Sequence, residues 1–213
     1  MIISLQNIRP LHISQKNIDN SDIWGVDEFL FKSKEIYQIK GISGQGKSTL
    51  LAFIYGSRSD YEGDISIDHK PIRCYKASQW AGLRTSQLSI VFQGLELFDE
   101  LTGFENIQIK NRLTKYKSRK EIKHYAERLE IEDILNRKVE TFSFGQKQRL
   151  SVIRALCQPF DCILLDEPFS HLDDMNTMEA NKLIFEEIQS RNATAIITTL
   201  QKDTHIKGQD FNI

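Results

Sequence analysis

The chain has 213 residues, with 28 Lys and Arg against 29 Asp and Glu and a formal net charge of −1 at pH 7. This length suffices for one sizeable hydrophobic core. A charge near neutrality argues against nucleic acid as a partner, because dedicated nucleic-acid binders usually carry a basic excess. The apolar runs are much shorter than the roughly 20 residues that a membrane-spanning helix needs, so no direct membrane span is expected.

The cysteines indicate the redox compartment. Cys74, Cys157 and Cys162 are odd in number and have no metal-ligand spacing. We expect all of them to be buried as small hydrophobic side chains in a reducing compartment, which points to the cytosol.

The first third of the chain predicts short strands at 1–8, 23–31 and 64–68, which are suited to an antiparallel sheet beside a main sheet. Trp24 lies in the second of these segments. We expect it to be a buried strand residue, with a stacking platform for a nucleotide base as the alternative.

A glycine-rich loop lies between an apolar strand at 36–39 and an apolar helix at 47–55. Strand, loop and helix in this order are the context of a phosphate-binding P-loop. Glycines let successive backbone N–H groups wrap an anion, and the start of the helix adds further donors. Lys47 is expected to reach the β- and γ-phosphates, and Ser48 to bind Mg²⁺. The expected ATP-binding residues are Gly41, Ser43, Gly44, Gln45, Gly46, Lys47, Ser48 and Thr49.

Gln93 directly follows a predicted strand at 88–92, at the strand end where ligands bind in open α/β sheets. The segment 95–158 that follows it has mainly helical patterning. Within it, Ser118 and Glu121 form a predicted capping box, after which apolar residues recur at helical spacing. They are Ile122, Tyr125, Ala126 and Leu129. The basic residues between 110 and 123 are interpreted as a solvated helix face, with contact to an anionic membrane surface or partner as the alternative.

A second helix start follows at Ser143, which with Gln146 forms another predicted capping box around Gly145. Leu150, Ile153 and Cys157 mark its buried side. This pattern fits an ordinary helix start, and it equally fits a helix end with free donors for a phosphate. The residues alone leave both interpretations open.

The stretch 161–168 predicts a central parallel strand that ends in two carboxylates. Because neighbouring strand residues point to opposite sides, Asp166 can face Mg²⁺ while Glu167 orients and deprotonates an attacking water.

With these motifs in place, the chain resembles the ATP-binding cassette (ABC) ATPases, the nucleotide-binding subunits of ABC transporters. Segment 41–49 resembles their Walker A motif, 91–93 the Q-loop, 142–146 the signature motif, 163–167 Walker B and 170–173 the D-loop. The segment 97–106 resembles the part of the family that borders the docking surface for the membrane subunit.

The resemblance implies an α/β fold, a P-loop NTPase (RecA-like) core with an antiparallel β subdomain and an inserted helical subdomain. A single domain, 1–213, would comprise the core at 1–94 and 159–213 and the helical subdomain at 95–158. The implied cofactors are ATP and Mg²⁺, with Ser48, Gln93 and Asp166 at the metal and with Glu167, Gln93 and Lys47 as catalytic residues. In a head-to-tail dimer, the residues that bind the partner's ATP would be Ser143, Gly145, Gln146 and Asp173.

The implied function is ATP binding and hydrolysis that powers a transporter. The partners would be a second ABC ATPase subunit, in a homo- or heterodimer, and transmembrane permease subunits. The protein would then be cytoplasmic and peripheral on the cytoplasmic face of the cell membrane. Two alternatives stay open: an ABC-type ATPase that acts on a macromolecular complex or DNA, and a regulatory subunit that binds ATP but hydrolyses little.

The chain departs from the family pattern at several positions. Phe142 and Phe144 replace the usual leucine and first glycine of the signature motif. Leu200 takes the place of the switch histidine after the strand 195–199, and His205 lies too far along the chain to substitute for it. No aromatic residue suited to stack on adenine is obvious near Ile18. The resemblance therefore implies hydrolysis that is slow because of Leu200.

Overall fold

The computed structural model describes residues 1–200 and 208–213. In these residues the strands are β1 (Ile3–Pro10), β2 (Phe29–Phe31), β3 (Ile36–Lys40), β4 (Tyr61–Ile67), β5 (Lys70–Pro71), β6 (Leu88–Val91), β7 (Cys162–Asp166), β8 (Thr194–Thr199) and β9 (Gln209–Asn212). The α-helices are α1 (Gln15–Asp19), α2 (Lys47–Tyr55), α3 (Ala77–Ser86), α4 (Gly103–Thr114), α5 (Arg119–Arg128), α6 (Phe144–Leu156) and α7 (Asp174–Arg191).

The main sheet is parallel and has the strand order β6-β7-β8-β3-β9. Every residue of β7 and β8 is buried, as expected for apolar strands covered on both faces. Since parallel strands end at the same edge, the segments after β3, β6, β7 and β8 all emerge together. The sheet therefore brings the P-loop, Gln93, the carboxylates and Leu200 to one edge.

A second, antiparallel sheet with the order β2-β1-β4-β5 lies in the first third of the chain. It confirms the prediction of an antiparallel sheet, and with the parallel sheet it confirms the α/β class. Strand β4 covers Tyr61–Ile67, so it begins three residues before the predicted strand at 64–68.

The predicted strand at 23–31 is wrong, because only Phe29–Phe31 forms one. The Ser21 hydroxyl accepts hydrogen bonds from the amides of Ile23 and Trp24, and Gly25 has a φ of 70°, so the chain turns there. Trp24 is nonetheless buried, with 1% of its surface exposed. The apolar residues of this segment fill the core from a loop.

Burial of the cysteines is confirmed for two of the three. Cys157 and Cys162 are fully buried, whereas Cys74 is exposed at the end of a short 3₁₀ helix, Ile72–Cys74. The expectation that all three are buried is wrong for Cys74, because the helix lies at the surface after the edge strand β5.

Between β6 and β7 the described secondary structure is helical. Helix α5 begins at the predicted capping box, and its predicted apolar face is buried, as is that of α6. The basic stretch is only partly a solvated face, because the Lys117 side chain is mostly buried and its Nζ lies 3.2 Å from a carboxylate oxygen of Glu187. The subdomain boundaries at 95 and 158 stay predictions. Within residues 1–200 and 208–213, no helix has both the length and the apolar character required to cross a membrane.

Candidate nucleotide-binding site

The loop between β3 and α2 requires glycine at two positions. Gly44 and Gly46 have φ values of 85° and 102°, which side chains disfavour. A Cβ at Gly46 would also lie 2.3 Å from Cδ1 of Ile13. Helix α2 starts directly after Gly46, which supplies no side-chain cap. The amides of the first turn are thus left to an anion, as in known phosphate-binding loops.

Lys47 is buried at the base of this loop, with only 5% of its surface exposed. Its Nζ donates hydrogen bonds to the carbonyl oxygens of Gly41, at 2.9 Å, and Ile42, at 3.2 Å. The same Nζ lies 3.2 Å from Oε1 of Glu167. The loop thus folds around its own lysine. The ion pair between this lysine and Glu167 connects the loop to the segment after β7.

Glu167 does not continue strand β7, contrary to the simple alternation expected from the sequence. Its φ is 46°, a left-handed conformation that typically costs about 1–3 kcal/mol for such a residue. Two hydrogen bonds hold it there, because its amide donates to the carbonyl oxygen of Thr198, at 3.2 Å, and to Oγ1 of Thr198, at 3.1 Å. This turn directs the carboxylate towards Lys47.

Three oxygen-bearing side chains converge beside Lys47. The Ser48 hydroxyl donates to Oε1 of Gln93 at 3.3 Å. Asp166 is buried and accepts a hydrogen bond of 2.6 Å from Oγ1 of Thr198. Burial raises the pKa of Asp166, and hydrogen bonds from Thr198 and Ser48 partly counter this rise. A buried carboxylate with a raised pKa gains most from a nearby cation.

A cleft of about 200 Å³ covers the P-loop. Its lining residues come from the P-loop and α2, from the ends of β6 and β7, and from β1 and the segments after β1 and α2. They are Pro10, His12, Ile13, Ser43, Gly44, Gly46, Lys47, Ser48, Thr49, Arg58, Gln93 and Glu167. The structure thus brings together most of the residues expected to bind ATP, with Gln93 and Glu167. Gly41 and Gln45 lie within the loop, where Oε1 of Gln45 accepts the amide of Ile42 at 2.7 Å.

The signature residues do not line this cleft. Ser143 caps α6, since its hydroxyl accepts the amide of Gln146 at 3.2 Å while its own amide donates to Oε1 of Gln146 at 2.8 Å. Gly145 packs against the segment after β7, where an added Cβ would lie 3.1 Å from the carbonyl oxygen of His171. The predicted capping box is confirmed.

Asp173 caps α7 by accepting hydrogen bonds from the amide and the side chain of Asn176, both at 2.8 Å. These bonds lower the pKa of Asp173. It also lies outside the P-loop cleft of its own chain.

The two phenylalanines of the signature differ in exposure. Phe142 is buried, whereas Phe144 is 50% exposed and contacts the ring of His171 edge-on, with centroids 4.2 Å apart. An exposed aromatic side chain therefore stands at the start of α6.

Leu200 directly follows β8 and is 41% exposed. It lines a cavity of about 250 Å³ to which Glu167 and Thr198 also contribute. Glu167 thus borders both this cavity and the P-loop cleft. His205 lies outside the described residues.

Sequence reasoning missed three polar residues of this site. His12 and Arg58 line the cleft, and Thr198 holds both Asp166 and the amide of Glu167. His12 and Arg58 lie in segments without a recognisable motif. Thr198 had one usable signal, a hydroxyl at the end of an apolar strand that pairs with β7.

Comparison with known proteins identifies the family. A family model described as "ABC transporter" matches residues 27–170. The lipoprotein-releasing system ATP-binding protein LolD of Porphyromonas gingivalis is 34% identical over 203 residues, covering 93% of this chain and 90% of that protein. The thiamine import ATP-binding protein ThiQ of Aliivibrio fischeri is 36% identical over 167 residues, covering 77% and 69%.

A solved structure agrees with these relatives. The dimeric ATP-binding cassette MJ0796, in a post-hydrolysis state bound to ADP and Pi, superposes with a TM-score of 0.76 at 25% identity. The alignment covers 92% of this chain and 87% of that chain. The P-loop NTPase fold is thereby confirmed, and the chain belongs to the ABC transporter family as one of its ATP-binding subunits.

Proposed function

We propose that this chain binds ATP at the P-loop cleft and hydrolyses it with Glu167 as the base that orients and deprotonates the attacking water. One observation carries the proposal: the Lys47 ammonium lies 3.2 Å from the Glu167 carboxylate at the base of the glycine loop. Lys47 then binds the β- and γ-phosphates, and Gly41, Ser43, Gly44, Gln45, Gly46, Ser48 and Thr49 complete the loop around them. The relative bound to ADP and Pi supports a nucleotide in this fold.

The side chains fit Mg²⁺ as the second cofactor. Ser48, Gln93 and Asp166 offer hydroxyl, amide and carboxylate oxygens, which are the ligands this hard cation prefers. No cluster of three or more His, Cys, Asp or Glu suited to a metal occurs in the described part of the chain, so these residues would hold the ion together with phosphate oxygens. When bound, Mg²⁺ would neutralise charge on the β- and γ-phosphates.

The second half of each site would come from another ATPase subunit. Ser143, Gly145, Gln146 and Asp173 lie outside the P-loop cleft of their own chain, and the solved relative is dimeric. A head-to-tail dimer would let the start of α6 contact the partner's γ-phosphate. Phe144, exposed at that helix start, would then touch the partner.

Transport would require permease subunits in the membrane, with this chain on the cytoplasmic face. Phe98 is 52% exposed and lies five residues after Gln93. Asn106 holds its backbone, donating to the carbonyl oxygen of Phe98 at 3.0 Å and accepting its amide at 2.9 Å. This exposed apolar side chain on a hydrogen-bonded backbone is suited to contact a permease and to pass movement from the Gln93 segment.

Glu167→Gln tests the hydrolysis and dimer proposals together. The variant should bind ATP and Mg²⁺ but should not activate water, so the closed dimer should accumulate in size-exclusion chromatography with light scattering. Glu62→Gln, at an exposed position of β4, is the control and should behave as the wild type. A Glu167→Gln variant that stays monomeric with ATP would argue against a closed dimer of this chain with itself.

A further inference from the structure

The segment after Gln93 has an unusual backbone. Leu95 and Glu96 are consecutive and have φ values of 61° and 49°. Neither residue type favours the left-handed region, which is populated mainly by glycine, asparagine and aspartate. Such a pair persists only where its surroundings hold it in place, and this pair lies two residues from a proposed metal ligand.

A buried arginine contacts both of these residues. Arg154 lies on α6 with 8% of its surface exposed. One terminal nitrogen of its guanidinium donates to the carbonyl oxygen of Leu95 and the other to that of Glu96, each at 2.5 Å. Burial lowers the pKa of Arg154 to about 10, so the group stays charged at neutral pH.

The match between guanidinium and backbone is bidentate. Two consecutive left-handed residues present their carbonyl oxygens to a single planar fork of N–H donors. The charge-assisted bonds offset the desolvation of the buried cation, and they also hold a backbone conformation that the residue types disfavour. A lysine ammonium carries the same charge but lacks the fork.

We propose that Arg154 is a positioning residue: it holds the segment after Gln93 in its left-handed conformation and so keeps Gln93 Oε1 beside the Ser48 hydroxyl. The inference rests on the proposed function for what Gln93 does there. The placement itself rests on the 3.3 Å contact between Ser48 and Gln93.

Helix α6 also holds the backbone that follows Glu167. Gln148, fully buried on the same helix, donates to the carbonyl oxygen of Pro168 at 2.8 Å, one residue after Glu167. Side chains of helix α6 therefore form hydrogen bonds with the backbone close after Gln93 and close after Glu167. Any shift of α6 reaches both residues through these buried contacts.

The test compares two conservative variants by amide hydrogen exchange. Arg84 is the matched control, because its guanidinium also donates to two consecutive carbonyl oxygens, those of Tyr55 and Gly56, at 2.9–3.1 Å. Arg154→Lys should accelerate exchange of the Leu95 and Glu96 amides about tenfold or more, as expected for the loss of one charge-assisted bond. Arg84→Lys should leave these two amides unchanged.

A second substitution separates backbone positioning from general loosening. Asparagine adopts left-handed φ more readily than glutamate, and Glu96 is exposed. Adding Glu96→Asn to Arg154→Lys should return exchange of these amides towards the wild-type rate. Equal acceleration in Arg84→Lys and Arg154→Lys, or no rescue by Glu96→Asn, would overturn the proposal.

The functional link has its own measurement. Arg154→Lys should raise the Mg²⁺ concentration for half-maximal ATPase activity several-fold while leaving ATP affinity in EDTA unchanged. An unchanged Mg²⁺ requirement would overturn the link to Gln93. Absence of Mg²⁺-dependent hydrolysis in the wild type would instead count against the proposed function. The hydrogen-exchange and rescue experiments would then still test whether Arg154 positions the backbone.

Discussion

The two helix starts assigned to phosphate, those of α2 and α6, are built in opposite ways. Helix α2 follows Gly46 and has no side-chain cap, so its first amides are left to a ligand. Helix α6 begins with a complete capping box, in which Ser143 and Gln146 satisfy each other. The first start leaves its donors without a side-chain partner in its own chain, whereas the second satisfies its own with the capping box.

This difference has a functional meaning. The open start of α2 lies beside the buried Lys47, where an anion meets both donors and charge. At α6 the amides of Phe144 and Gly145, in the first turn, are the donors that the capping box leaves over. We therefore expect α2 to dominate ATP affinity, and α6 to act in dimer closure.

The largest effect is expected on the rate of ATP hydrolysis, from a substitution at Leu200. A histidine there can donate to the γ-phosphate and help to hold the water, whereas leucine cannot. Since one well-placed donor typically contributes about 10²–10³ in rate, Leu200→His should raise steady-state turnover by up to that factor. ATP affinity should barely change.

Leu200→Ile is the matched control and should not raise turnover. If the purified wild type already turns over briskly and Leu200→His adds nothing, Leu200 does not occupy the switch position.

Lys47→Ala tests the dominance of the α2 start. Loss of the charge-assisted contact should weaken ATP binding by about 1.5–3 kcal/mol, or roughly 10–150-fold. Isothermal titration calorimetry measures this directly. Lys70→Ala, at an exposed lysine of the antiparallel sheet, should bind ATP as the wild type does. Unchanged affinity in Lys47→Ala would refute the P-loop assignment.

Ser143→Ala separates capping from partner contact at α6. Loss of an N-cap hydroxyl typically costs about 1 kcal/mol of stability. Ser118→Ala provides the matched control, because Ser118 and Glu121 form the same capping box on α5. Both variants should lose similar stability in chemical unfolding, but only Ser143→Ala should weaken the ATP-dependent dimer that Glu167→Gln accumulates. If Ser143→Ala and Ser118→Ala dimerise equally well, Ser143 acts only as a helix cap and does not contact the partner.

The sequence predicted the parts of this molecule in which local pattern and tertiary structure agree. The buried strands β3, β6, β7 and β8 and the capped starts of α5 and α6 were recognisable, because apolar runs and capping boxes are local signals. Helix α3 and strand β9 were not. Of α3 only Leu83 is buried, and β9 is mostly polar and exposed. Strand β9 is placed by its pairing with β3, and α3 by the burial of Leu83 and the hydrogen bonds of Arg84.

The site shows the same division. The P-loop could be predicted because its glycines serve a local backbone need. The left-handed Leu95 and Glu96 could not, because nothing in those residue types indicates such a conformation, and the group that holds them lies 59 and 58 residues away on α6. The left-handed turn at Glu167 likewise depends on Thr198, from a neighbouring strand.

The smallest effect is expected on thermal stability, from a substitution at Asp166, whose pKa is shifted in the opposite direction to that of Asp173. Hydrogen bonds lower the pKa of Asp173, whereas burial raises that of Asp166. Because burial raises the pKa of Asp166, the folded state bears the desolvation of this carboxylate wherever the group is ionised. As the pH falls through the folded-state pKa, Asp166 takes up a proton before its unfolded counterpart, and this destabilisation disappears.

Asp166→Asn should therefore raise the nucleotide-free melting temperature slightly at pH 7, and the gain should shrink on acidification. Asp161→Asn, at an exposed position before β7, should show neither effect. A nucleotide-free Asp166→Asn variant that is less stable than the wild type at pH 7 would mean that the ionised carboxylate is already stabilised by Thr198 and Ser48 beyond the desolvation it bears.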